Sequence, residues 1–245
     1  MAEHSLALVT GATGFIGEHL VHRLVNEGTR VRALVRPRPH TGTDPSSLPP
    51  PLRTNAVEIT WGDITDASAV ARAATDVNVV FHLAGLARPW ARDPDEFRRV
   101  NVDGTRNVVR ASEEQGNPRL VYVSTNLVNP PRGADPNRYL LTPYQSTKRE
   151  AERLVNDYVT RGGDAVIVRP TRVYGPGLMS EANAATHMID LYRRGLFRVR
   201  IADGGARANW VHVEDVVVGC LAAARGTTGT AYTLGGENAT FDRVL

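Results

Sequence analysis

A short apolar run, Leu6–Thr10, passes directly into Gly11-Ala12-Thr13-Gly14-Phe15-Ile16-Gly17, and Ile16, Leu20 and Leu24 then recur at four-residue spacing. That arrangement allows few folds, because a strand must turn into an amphipathic helix within a handful of residues. Gly11 permits the tight turn. Gly14 lets backbone approach a pyrophosphate, and Gly17 lets the helix pack closely on the sheet. The start of such a helix carries unpaired N–H groups and a positive dipole end. Gly11, Thr13, Gly14, Phe15, Ile16 and Gly17 are therefore candidates for holding a dinucleotide. The spacing is Gly-x-x-Gly-x-x-Gly rather than Gly-x-Gly-x-x-Gly, and a ligand-free glycine-rich turn is the alternative.

The strand–helix unit repeats along the chain. Strands are expected at Leu6–Thr10, Arg30–Val35, Ala56–Thr60, Val77–Leu83, Arg119–Ser124 and Ala165–Arg169. Several are Val-rich and almost continuously apolar, as strands covered on both faces are. Helical spacing marks Phe97, Val100, Gly104 and Val108, and again Ala151, Leu154, Val155 and Tyr158. The expected fold is α/β, a doubly wound parallel sheet. Arg36–Arg53 is Pro-, Ser- and Thr-rich and reads as an exposed loop, as does Asn129–Pro136. Beyond Pro170 the pattern becomes irregular, with helices near Ala182–Arg194 and Glu214–Ala224 and a strand near Ala231–Leu234. The expected division is a dinucleotide-binding domain over 1–170 and a partial, apparently truncated substrate lobe over 171–245, interleaved with the sheet. Met179, Asn183, His187 and Trp210 are pocket candidates in that lobe.

Composition excludes several classes. Net charge is +3, from 29 basic and 26 acidic residues, without a Lys/Arg run or basic helix, so no nucleic-acid partner is expected. Cys220 is the single cysteine, which rules out an internal disulfide and a cysteine-based metal cluster. Its apolar neighbours make it a buried thiol. The apolar runs are too short to span a bilayer and the first strand begins near the N-terminus. The expectation is a cytoplasmic protein with a small-molecule substrate, no metal and no membrane partner. A homodimer is open.

Two further positions bear on the nucleotide. The second strand ends at Arg36, where an NAD-selective site places Asp or Glu on the ribose hydroxyls. A carboxylate repels a 2′-phosphate and an arginine fork pairs with it, so Arg36, with Arg38 beside it, favours NADP, with NAD as the alternative. A solvated charged strand end is the other reading of Arg36. In Gly62-Asp63-Ile64, after the third strand, Asp63 is a candidate acceptor for an adenine amino group or a turn-capping residue.

The chemistry-bearing pair lies downstream, in Pro143-Tyr144-Gln145-Ser146-Thr147-Lys148. Tyr144 and Lys148 share a helix face. An ammonium near a phenol favours the phenolate, so Lys148 is expected to lower the Tyr144 pKa and make it an acid or base near neutrality.

In order, Thr10–Gly17, Gly62-Asp63-Ile64-Thr65-Asp66, Phe81-His82-Leu83-Ala84-Gly85, Asn101-Val102-Asp103-Gly104-Thr105, Val121-Tyr122-Val123-Ser124-Thr125, Tyr144-x-x-x-Lys148 and Arg169–Gly177 resemble the extended short-chain dehydrogenase/reductase superfamily, including its NAD-dependent epimerase/dehydratase group. The resemblance runs nearly end to end. It implies that Tyr144 is the general acid/base and that Lys148 binds the nicotinamide ribose. It implies that Thr125, or Ser124, hydrogen-bonds the reacting oxygen. Ile64, Leu83, Ala84, Gly85, Ser124, Pro170 and Val173 would line the cofactor cleft. Asn101 would pack the fold, and His82 would be a core histidine rather than a base.

The tail Tyr232–Asn238 and the strand end Val31–Arg36 are similar to the dihydroflavonol-reductase and hydroxysteroid-dehydrogenase branch. Sugar-nucleotide dehydratases follow the catalytic Thr with Asp-Glu, and here Asn126-Leu127 stand instead. Nucleotide-sugar enzymes commonly place an Arg two residues before the aromatic of the motif that reads Ala208-Asn209-Trp210-Val211-His212-Val213 here, and Arg207 sits one position early. The family pattern continues beyond Leu245 with more substrate lobe. The resemblance implies an NAD(P)(H)-dependent oxidoreductase interconverting a ketone and a secondary alcohol. A nucleotide-sugar epimerase and a non-catalytic NAD(P)-binding sensor are the alternatives.

Overall fold

The computed structural model describes residues 5–37, 40–88, 90–130, 133, 141–177, 183–196 and 207–244. Arg38, Met179 and Ala182 lie outside the described residues. The chain alternates strands and helices from its start. β1 (Leu6–Thr10), α1 (Phe15–Asn26) and β2 (Arg30–Val35) form the first unit, followed by β3 (Val57–Trp61), α2 (Ala67–Ala74) and β4 (Val79–His82). A short α3 (Asp95–Phe97) runs through a π-helical turn, Arg98–Asp103, into α4 (Gly104–Glu114). Then come β5 (Arg119–Val123), α5 (Pro143–Thr160), β6 (Ala165–Pro170), β7 (Arg172–Tyr174) and α6 (Ala184–Arg193). The chain continues as β8 (Arg207–His212), α7 (Val213–Ala223), β9 (Ala231–Leu234), β10 (Glu237–Thr240) and α8 (Phe241–Val244).

Seven strands form one sheet in the order β3-β2-β1-β4-β5-β6-β9, and every pairing in it is parallel. The two-residue period of the strands divides their side chains between two cores. Ala7, Val9, Phe81, Val121 and Val166 pack with Leu20 and Leu24 of α1 and Val217 and Cys220 of α7. Leu8, Val80, Leu120, Tyr122 and Ile167 pack with Val70 of α2, Val108 of α4 and Val155 of α5 on the other face. Continuous apolar strands thus supply both layers of a doubly wound sheet, as expected. The segment after Pro170 contributes α7 and β9 to this architecture. It also builds a smaller sheet, β10-β8-β7, beside the end of β6.

Two expectations are corrected. The Pro-rich stretch after β2 is not simply an exposed loop. It holds two short helical turns, Pro45–Ser47 and Pro50–Arg53, and Leu48 and Leu52 are buried in the α1 core. Pro presets φ for such turns and so aims the two leucines inward at little entropic cost. Trp210 is no pocket residue: it is buried edge-on against Phe241, and its indole N–H donates to the Ala239 carbonyl at 3.3 Å.

The first turn shows which glycines are obligatory. A Cβ on Gly17 would lie 2.1 Å from the Gly11 carbonyl oxygen, whereas one on Gly28 would meet nothing within 4 Å and would only strain a φ of +77°. Gly17→Ala is therefore expected to destabilise by about 2 kcal/mol or more, and Gly28→Ala by about 1 kcal/mol. Urea denaturation midpoints of the two variants check this.

Candidate active site at the sheet switch point

The strand order reverses between β1 and β4, and in open α/β sheets a ligand crevice forms outside the carboxyl ends of such strands. Thr10 and His82 are register partners at those ends. Gly11, at φ +72°, closes the turn so tightly that a Cβ there would lie 2.6 Å from the Ala84 nitrogen and 2.8 Å from the Leu83 carbonyl carbon. Gly14 caps α1 with its backbone alone: its N–H donates to the Gly11 carbonyl at 2.9 Å and no side chain caps the helix. The first turn of α1 thus has no side-chain cap for its N–H groups, the arrangement that favours an anion there.

A buried hydrogen-bond chain joins this turn to α5. The Ala84 N–H donates to Thr10 Oγ1 at 3.2 Å, and Thr10 Oγ1 lies 2.7 Å from His82 Nδ1. His82 Nε2 lies 3.0 Å from Thr105 Oγ1, whose own proton goes to the Asn101 carbonyl at 2.6 Å. Thr105 must then accept from Nε2, which assigns the Nε2–H tautomer and makes Nδ1 the acceptor of the Thr10 hydroxyl. Asn101, in the π-helical turn, accepts the Leu86 N–H at 2.7 Å and donates to Thr147 Oγ1 of α5 at 3.1 Å. His82 and Asn101 are thus fold-holding residues, as the resemblance implied. His82 is fully buried, and desolvation, with the nearby Lys148 charge, holds its pKa down at about 3.

The start of α5 is fixed independently. Thr142 and Gln145 form a capping box: the Thr142 N–H donates to Gln145 Oε1 at 2.8 Å and the Gln145 N–H to Thr142 Oγ1 at 3.3 Å. Pro143 occupies the first helical position, so Tyr144 sits in a rigid first turn. Thr125, two residues past the end of β5, caps the turn Asn126–Val128 through the Leu127 N–H, at 3.3 Å. Its hydroxyl lies near the Tyr144 phenol and acts to lower that phenol's pKa. The structure therefore brings Thr125 and Tyr144 together.

Lys148 does not act on Tyr144 as expected. Its ammonium donates to the Val123 carbonyl at 2.8 Å and sits 4.2 Å from the centre of the Tyr122 ring. Burial raises the Tyr144 pKa, and the nearby Thr125 hydroxyl only partly offsets that. Tyr144 is a neutral phenol here, a proton donor rather than a preformed phenolate. Lys148 is only 4% exposed, and burial lowers its own pKa to about 7. It is also the only lysine in the chain, beside 28 arginines from the 29 basic residues, a signal that sequence reading missed.

The remaining residues fit a nicotinamide dinucleotide. Gly85 faces the same space as Lys148: a Cβ on it would lie 3.2 Å from Asn101 Oδ1 and 3.9 Å from Lys148 Nζ. Ser124 is buried and its hydroxyl has no hydrogen-bond partner. Pro170 closes β6 and Val173 lies on β7 against the α1 core. Arg36, just past β2 and with its side chain 74% exposed, places Nη1 3.8 Å from Asp63 Oδ2. Asp63 serves as a turn former, its Oδ1 accepting the Thr65 N–H at 2.9 Å and hydroxyl at 2.8 Å, and Ile64 is buried beneath Gly104. Cys220 is buried, its thiol pushed up to about 12, and no metal-holding cluster occurs among the described residues. Nor is any described helix long and apolar enough to cross a membrane.

The buried His82 gives the fold an acid limb. Between pH 6.5 and about 3 the unfolded chain takes up a proton that the native histidine refuses, so stability falls as pH falls through that window. The loss is expected to reach a few kcal/mol. His82→Asn should lower the melting temperature at pH 7 yet flatten its dependence on pH between 6.5 and 4, as read from melting curves.

Residues 7–235 match the model of the NAD dependent epimerase/dehydratase family. Human 3 beta-hydroxysteroid dehydrogenase type 7 is 34% identical over 261 residues, covering 96% of this chain and 68% of that protein. A ceramide reductase of Caulobacter vibrioides is 33% identical over 226 residues, covering 89% of this chain and 60% of its own length. The UDP-glucose 4-epimerase of Thermus thermophilus, solved in complex with NAD, is 28% identical with a TM-score of 0.78, over 98% of this chain and 81% of that one. This chain belongs to the NAD dependent epimerase/dehydratase family of extended short-chain dehydrogenases/reductases.

Proposed function

We propose that the protein is an NADP(H)-dependent oxidoreductase interconverting a ketone and a secondary alcohol on a substrate with an apolar body. The observation that carries this reading is Thr125 beside Tyr144, with a buried Lys148 one turn along the same helix, at the switch point next to the glycine-rich turn. The α1 N-terminus and Gly14 would hold the diphosphate, Lys148 and Ser124 the nicotinamide ribose side, and Pro170 and Val173 the nicotinamide end. When bound, the cofactor supplies or takes up the hydride. Tyr144 donates its phenolic proton to the carbonyl oxygen in reduction and recovers it in oxidation, and Thr125 steadies the charge developing on that oxygen.

Two features support a redox outcome on an apolar substrate. Similar proteins are named as a steroid dehydrogenase and a ceramide reductase. Leu127, 45% exposed two residues after Thr125, stands where dehydratases carry the second residue of Asp-Glu, so a carboxylate for water elimination is replaced by an apolar side chain. A second reading, epimerisation of a nucleotide-sugar with a retained cofactor, is supported by the similarity to UDP-glucose 4-epimerase. Ala208 weighs against it, since it replaces the diphosphate-gripping arginine.

Tyr144→Phe is expected to lower kcat by about 10²–10⁴-fold, the usual worth of a positioned acid, while leaving the cofactor Kd within about threefold. A ketone panel followed by NADPH absorbance, with calorimetry for binding, checks both, and undiminished turnover by the variant overturns the mechanism. Arg36→Asp replaces attraction to a 2′-phosphate by repulsion. It should weaken NADPH binding by about tenfold to a hundredfold and NADH binding far less. A wild-type preference for NADH would show that Arg36 is only a surface charge.

A further inference from the structure

We infer that Glu152, clamped by Arg169, is the counter-charge that holds Lys148 as an ammonium in the cleft, a positioning role for the reaction proposed above. Tyr144, Lys148 and Glu152 follow at four-residue intervals along α5, so the carboxylate lies one helical turn beyond the amine on the same face. Glu152 is 5% exposed. Arg169, next to the last residue of β6, grips it with both prongs, Nε to Oε1 at 2.9 Å and Nη2 to Oε2 at 2.6 Å. The fork pairs both oxygens of the buried carboxylate with a guanidinium, the partner a buried charge requires. It also ties the strand that ends at Pro170 to the helix that carries Tyr144. Stability alone does not account for such a pair, because well-packed apolar residues of similar volume serve a fold as well or better.

The other groups facing Lys148 supply no negative charge. From β4, His82 is neutral at physiological pH. From β5, Tyr122 presents its ring face, and burial raises its phenol well above the ordinary value. On α5, Tyr144 is likewise held as the neutral phenol. The Val123 carbonyl contributes a dipole. Burial draws Lys148 down to about 7 and Glu152 is the group that opposes it. Without the Glu152 charge, the amine would be largely deprotonated at neutral pH and would lose its donor role.

Because the chain has one lysine, uniform ¹³C-lysine labelling gives a single side-chain Cε signal, and its titration reports Lys148 directly. In Glu152→Gln the titration midpoint is expected to fall by about one pH unit or more relative to wild type. Glu152→Asp, with the charge one methylene further away, should show a smaller fall in the same direction, and it carries the test if the glutamine variant does not fold. An unchanged midpoint in the folded variants, whatever happens to their melting temperatures, overturns the inference and leaves the pair a structural clamp. The pH profile of kcat/KM separates this from the functional reading. Its alkaline limb should move towards acid together with the Lys148 midpoint. A moved midpoint with an unmoved limb would leave the counter-charge standing and remove Lys148 from turnover.

Discussion

One buried hydrogen-bond chain sets the relation between the glycine-rich turn and the helix that carries Tyr144 and Lys148. It runs from the Ala84 N–H through Thr10, His82 and Thr105 to Asn101 and Thr147. The Thr10 and Thr105 hydroxyls each donate once and accept once, which allows one histidine tautomer. Such a network has a single arrangement, so β1, β4, the π-helical turn and α5 take one mutual register. The π-helical turn belongs to the same device: the added residue in the helix brings Asn101 to the Leu86 N–H and to Thr147 together. Protonating His82 breaks this arrangement, because Nδ1 can then no longer accept from Thr10.

Electrostatics at the site follow from burial more than from pairing. Lys148 is the one group whose charge is balanced close to neutrality, drawn down by desolvation and supported by Glu152. Tyr144 stays a phenol for the same reason, since its burial disfavours a phenolate. The expectation that a neighbouring ammonium would lower the phenol fails because burial dominates at Tyr144, and the Lys148 ammonium is directed to the Val123 carbonyl and the Tyr122 ring instead. A phenol backed by Thr125 suits proton donation to a carbonyl, the direction of reduction.

Much of this was legible in the sequence. The six leading strands fall where their apolar runs stand, because burial on both faces demands side chains that a reader can see. The Gly11-x-x-Gly14-x-x-Gly17 turn was equally plain, since each glycine answers a steric demand local to the motif. What escaped is long-range. Thr10 and Thr105 look ordinary until β4 places His82 between them. Nothing local in the sequence announces that α5 and β6 bury Glu152 and Arg169 against each other. The capping box at Thr142–Gln145 and the solitary lysine were visible and were passed over. Leu48 and Leu52 were obscured by prolines, which mark turns but do not say which face the turns bury.

The central claim is direct redox chemistry at a carbonyl carbon. Its most direct test is to incubate the protein with NADPH deuterated at nicotinamide C4, in each of the two stereoisomeric forms, and apolar ketones, and to locate deuterium in the alcohol by mass spectrometry and NMR. The account predicts one deuterium on the carbinol carbon from one form only, with stoichiometric NADP formed. A sugar nucleotide isomerised with a retained cofactor, and no label entering any ketone, would contradict it.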